Sequence, residues 1–297
     1  MESTLHHDPA ALLTELMASP VYDRLTLLRA AGNLAAVFEA ICEECDRIAT
    51  VEVGQGLAAS ELVVALADEI GDPRMRADAR GVRAMALAYA ARFDEALDAC
   101  EVAVDIAERA GCVVAAARAR LASVHPLSEL DRYEQAIAAG ELARAAFERE
   151  GESILAARAD VSLGAVHDRR DDAARALIHY DRALPILAGD QLVAAQIESN
   201  RGVALISLDE FARAETAFAA AVAAFAANET HWAAAVAEGN LAFLATRQGR
   251  LERALHHFER ARHFMEVDES PADLARLLAE QADALAALGM PAEALNV

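Results

Sequence analysis

Cys42-Glu-Glu-Cys45 has the two-residue spacing of metal-binding and redox cysteine pairs. A structural zinc site needs a second ligand pair close in the fold, and neither Cys100 nor Cys112 forms one with a neighbour. A redox pair needs a depressed thiol pKa, and the two glutamates between these cysteines oppose thiolate formation. The ordinary reading is a pair of thiols packed in a helix. His256, His257 and His263 fall on one expected helix. Two helical turns separate His256 from His263, too far to share an ion without a further ligand. The sequence contains no P-loop, no dinucleotide fingerprint, no His-Glu-x-x-His and no Gly-x-Ser-x-Gly. Gly54-Gln-Gly56 opens a helix and lacks the rest of a phosphate loop. No catalytic residue, metal or cofactor is expected of this chain.

Whatever function it has must be carried by helices. Alanine supplies 75 of 297 residues, while glycine contributes 14 and proline 7. Ala, Leu, Glu and Arg lose little rotamer freedom in a helix, so the chain is expected to be helical nearly throughout. A net charge of −21 repels nucleic acid and anionic membrane surfaces at long range. Residues 217–227 form the most apolar stretch, and a membrane span needs about 20 residues. The start has no basic segment followed by an apolar run, and four cysteines make no disulfide framework. A cytoplasmic, acidic protein with no nucleic-acid or membrane partner is the expectation.

A short pattern recurs: an aromatic or apolar residue, two variable ones, then a small one. It stands at Phe93-Asp-Glu-Ala96, Tyr133-Glu-Gln-Ala136, Ala173-Ala-Arg-Ala176, Phe211-Ala-Arg-Ala214, Leu251-Glu-Arg-Ala254 and Pro291-Ala-Glu-Ala294, with Val53-Gly-Gln-Gly56 as a weaker first copy. The small residues are spaced 40, 40, 40, 38, 40 and 40 apart. Each unit reads as two helices joined by a short turn, with Gly, Asn or Pro closing the second. The small residue lets the two helices cross closely. A second small position follows seven residues later, at Ala103, Ala143, Ala183, Ala221 and Ala261, with Tyr180, Phe218 and Phe258 between the two; Cys100 fills the same slot.

These small pairs, the aromatics before them, and Gly164 and Gly202 on the first helices resemble the tetratricopeptide repeat, over roughly residues 33–297. The units exceed the family's standard 34 residues. The resemblance implies an all-α, tetratricopeptide-like α-solenoid: a right-handed superhelix of helix-turn-helix repeats whose first helices line the concave face. Residues 1–32 are expected to form covering helices, and residues 33–297 about seven repeats. The last repeat stops a turn or two into its second helix, as if the natural chain continued or something covered it.

Counting back 18, 14 and 11 residues from each small residue gives the positions expected to face the concave side. The rows contain Asp78, Arg118, Arg158, Gln196 and Arg276, then Ser162, Asn200, Asn240 and Glu280, then His125, Phe243 and Asp283; the candidates for holding a partner are Arg118, Arg158, Gln196, Arg276, Asn200, Asn240, His125 and Phe243. In tetratricopeptide domains that hold peptide carboxylates, an Asn at this place contacts the peptide; the lysines that complete that clamp are missing here. One reading is a groove for a protein or peptide partner, an acidic one suiting the arginines. The other is that these side chains solvate the surface or pair with glutamates inside the array.

The late repeats, residues 238–262 and 273–294, resemble the repeat region of bacterial proteins carrying a C-terminal CHAT domain, a caspase-like cysteine protease. That resemblance implies a non-catalytic interaction scaffold, the sensor or regulatory array of a larger effector, with an effector domain of the same chain as one partner. The alternative is the ligand- or peptide-sensing array of a bacterial transcription regulator.

Overall fold

The computed structural model describes residues 8–267 and positions 278, 279, 281–283, 285 and 286. Expectations that fall on Arg276 and on the pattern at Pro291–Ala294 lie outside these residues. Fourteen helices stand among the described residues: α1 (Pro9–Ala18), α2 (Val21–Ala30), α3 (Leu34–Val51), α4 (Val53–Ile70), α5 (Pro73–Tyr89), α6 (Phe93–Arg109), α7 (Val113–Glu129), α8 (Tyr133–Glu150), α9 (Ser153–Arg169), α10 (Ala173–Leu187), α11 (Gln191–Ser207), α12 (Phe211–Ala227), α13 (His231–Arg247) and α14 (Leu251–Val267). The chain is an all-α array of stacked helix pairs. It divides into two compact units, Met1–Val166 and His167–Val297.

The spacing of small residues becomes packing. Ala96, Ala136, Ala176, Ala214 and Ala254 are all buried, as are Ala103, Ala143, Ala183, Ala221 and Ala261. A Cβ at Gly56 would strike the backbone of Ala49, which is why the first copy carries glycine. At Gly202 a Cβ would lie 2.6 Å from the ring of Phe218, whose side chain is fully buried.

The turns repeat as closely as the helices do. Within each pair, the residue five before the small one is left-handed: Ala91, Asp131, Asp171, Asp209 and Gly249, with φ between 56° and 69°. Between pairs, Gly71, Gly111, Gly151 and Glu229 take the same conformation. The residue after each within-pair corner returns a backbone bond to a carbonyl five positions back, as in Arg92 N–H to the Leu87 carbonyl (2.9 Å) and Glu210 N–H to the Leu205 carbonyl (2.9 Å). This is the Schellman closure, which satisfies helix-end carbonyls within a single turn. The one 38-residue spacing arises in α10, which has 15 residues where the other second helices have 17 or 18. Asp190, three residues past its end, caps α11, accepting from the amides of Leu192 and Val193.

Glu229 is the strained member of the set, because its Cβ crowds the backbone at a corner where three other turns have glycine. Glu229→Gly is therefore expected to raise stability by about 0.5–1 kcal/mol. A lowered urea midpoint for this variant would contradict that assignment of strain.

In the first unit, α1 and α2 bury Leu12, Leu13, Leu16 and Leu28 against Phe38, Ile41 and Val63 of α3 and α4. In the second unit, the core runs through Leu205, Phe218, Phe225, Leu241 and Leu244. No single helix among the described residues is long and apolar enough to cross a membrane.

Candidate functional site

In the second unit, α11 and α13 lie side by side, and each presents a stripe of accessible residues. On α13 the stripe is Trp232, Val236, Asn240 and Phe243; on α11 it is Leu192, Gln196, Asn200 and Val203. Advancing about 100° per residue, the four α13 positions fall within roughly 80° of one another, so they share one face. Trp232 and Phe243 are each 50% exposed, an unusual state for large aromatic side chains. Leu192 and Val203 are exposed beside them. Gln196 Nε2 donates to Asn200 Oδ1 at 3.1 Å, which orients the amides of α11. Both stripes have apolar ends, with two amides between them on α11 and Val236 and one amide on α13. None of these eight side chains is charged. One turn further along α13, Arg247 donates to Asp209 Oδ1 (3.1 Å) and stands over the Phe211 ring at 5.8 Å.

The corresponding face of the first unit has a different character. Arg118 on α7 does not stand free for an incoming anion: its guanidinium lies 3.9 Å from Glu39 of α3 and faces Asp78 of α5. Burial raises the pKa of Asp78, against the pull of Arg118 and Arg74. Asp46 of α3 is pushed up to about 7 by burial and then by Glu43. Arg118 thus faces two carboxylates inside the array, which is the second of the two readings open to these side chains. Arg158 is exposed on α9. His125 faces Glu129 at 3.6 Å and meets the Phe93 ring edge-on.

The cysteines behave as packing residues. Cys42 and Cys45 are buried on α3. Burial raises both thiol pKa values, helped at Cys42 by Cys45 and then nearby carboxylates, and at Cys45, which reaches about 12, by Asp46 and Glu44. Cys100 is buried among Ala84, Leu87 and Ala96, in the slot the repeat pattern assigned it. No cluster of three or more metal-ligating side chains occurs among the described residues.

Two features escaped the sequence reading. Glu238 on α13 is fully buried, held by His257 Nδ1 at 2.7 Å and by Arg260 at 2.9 Å, both from α14. Near the start of the second unit, His167 and His179 stack at 5.4 Å, both buried. Beside them Tyr180 Oη donates to Asp168 at 2.7 Å. Burial lifts Asp168 to about 6, and burial followed by His179 lowers His167. The apolar row of Leu192 and Trp232 was also missed; it lies one turn before the counted positions, and counting back 22 residues instead of 18 would have found it.

No protein-family model matches the chain, and no curated protein matches it. Solved structures do. A signal-transduction ATPase with a tetratricopeptide repeat sensor from Pyrococcus horikoshii superposes over 92% of this chain and 43% of its own, with TM-score 0.61 and 14% identity. The fold is that of a tetratricopeptide-like repeat protein. The array also resembles a Rap protein solved with competence and sporulation factor, with TM-score 0.63, 15% identity and coverage of 96% and 82% of the two chains. The quorum sensor NprR from B. thuringiensis matches over 96% of this array and 95% of its own chain, with TM-score 0.59 and 13% identity.

Proposed function

We propose that this array senses a peptide: it binds a short linear peptide on the α11–α13 face and catalyses no reaction on it. The observation that carries the reading is the pair Asn200 and Asn240. They lie on adjacent helices, one row apart from exposed apolar side chains at either end. Asparagine offers a donor and an acceptor together, the complement of a peptide unit. Flanking apolar side chains take up the peptide's own. Gln196 holds Asn200 in place, while Asn240 makes no side-chain hydrogen bond among the described residues, so its amide is open to a ligand.

Two structural neighbours support the same reading by analogy of fold: one was solved with a signalling factor bound, and one is a quorum sensor. The CHAT-protease association implied by the late repeats draws no support from these neighbours. The reading therefore rests on the sensing alternative.

Asn200→Ala and Asn240→Ala test it. Each is expected to weaken binding of a responding peptide by roughly tenfold, the worth of a hydrogen bond left unmade in a desolvated site. Titration calorimetry against a heptapeptide pool reads this directly. Unchanged affinity in the double variant, with helicity intact, would sink the assignment.

A further inference from the structure

The stripe on α13 has a direction. Its apolar and amide positions are uncharged, and its only cation stands at one end, Arg247, a turn beyond Phe243. From Trp232 to Arg247 the helix rises about 22 Å. An extended peptide covers that length with about seven residues.

Arg247 is placed to receive a ligand carboxylate. Its one hydrogen-bonded carboxylate, Asp209, is largely solvent-exposed, and Arg247 itself is half-exposed. An ion pair of this kind contributes little in water and exchanges readily. The Phe211 ring lies 5.8 Å from the guanidinium carbon, and the fork has other N–H groups for a second carboxylate. The rest of the face has no charge with which to satisfy an ionised side chain, so the carboxylate that suits it is a terminal one.

We infer that the α11–α13 face takes a free peptide of about seven residues, uncharged in its body and apolar near both ends, with its C-terminal carboxylate on Arg247. This rests on the peptide-sensing reading above and adds the ligand's length, polarity and free terminus.

Trp232 is the only tryptophan in the chain, so its emission reports occupancy of the opposite end. The probe is a heptapeptide pool built from Ala, Ser, Gln, Leu and Phe, titrated as free acids and as C-terminal amides, with calorimetry in parallel. The free acid is expected to bind about tenfold more tightly than the amide, the scale of a charge-assisted hydrogen bond. Arg247→Gln should bring that ratio to one without changing the circular dichroism. Arg247→Lys should keep part of the preference, because it retains charge and loses the fork. Equal binding of acid and amide to the unaltered protein, with Asn240→Ala still weakening both, would overturn the terminal capture and leave the peptide reading standing. No binding of any pool member at millimolar concentration would overturn both.

Discussion

Phe218→Ala lowers the stability of the second unit by about 3–5 kcal/mol, the cost of removing a fully enclosed aromatic ring. The ring is buried among Leu205, Ala214, Val222 and Leu241, and its edge occupies the space where a Cβ of residue 202 would be. Neither helix can close the void alone, because Ala214 and Ala221 already hold α12 near its neighbours with no larger side chain to fold inward. Gly202→Ala in the unaltered protein is a clash with a ring that has nowhere to go. In the Phe218→Ala background the same methyl group enters the empty space. The two changes are therefore expected to be non-additive, the double variant being more stable than the sum predicts. Urea unfolding followed by circular dichroism measures all three; strict additivity would mean that the ring and the glycine do not share one slot.

Removing both partners of Glu238 has an effect of similar size for a different reason. With His257→Ala and Arg260→Ala, a carboxylate with no exposed surface loses the imidazole and guanidinium that compensate it. Leaving a buried charge unpaired costs roughly 3–5 kcal/mol. The expected result is loss of α14 helicity and faster amide exchange through α13 and α14, with α11 and α12 less affected. Adding Glu238→Gln to the double variant should recover most of the loss, since a neutral amide costs less to bury than a carboxylate. If Glu238→Gln brings no recovery, the two cations act through their own packing and not through the acid.

Helix pairing and its register were legible because they depend on residue size at fixed intervals, and size is written in the letters. Ala96, Ala136, Ala214 and their copies are small for a steric reason that holds at each crossing. On the first helices, Gln196, Asn200, Asn240 and Phe243 are at least partly accessible. Charge was harder to read. A glutamate in a helix normally faces water, and nothing local distinguishes Glu238 from Glu198; its burial depends on His257, nineteen residues away on another helix. Arg118 posed the same problem, since Glu39 reaches it from α3, two helix pairs earlier. Spacing along one helix does not say what stands across from Arg118; the fold decides that.

The corners at Ala91 and Asp131 have nearly the same backbone angle, φ 56° and 57°, and are followed by the same closing bond from Arg92 and Arg132. A gene segment encoding residues 92–131 could be copied in tandem without creating a junction the chain does not already possess. Growth by duplication needs no new loop to be invented, and loss of a copy leaves no scar. Diversity in such a lineage then accumulates where the copies face outward. Two copies of one ancestral helix can come to carry an arginine enclosed by acids and an asparagine open to solvent, on one unchanged frame.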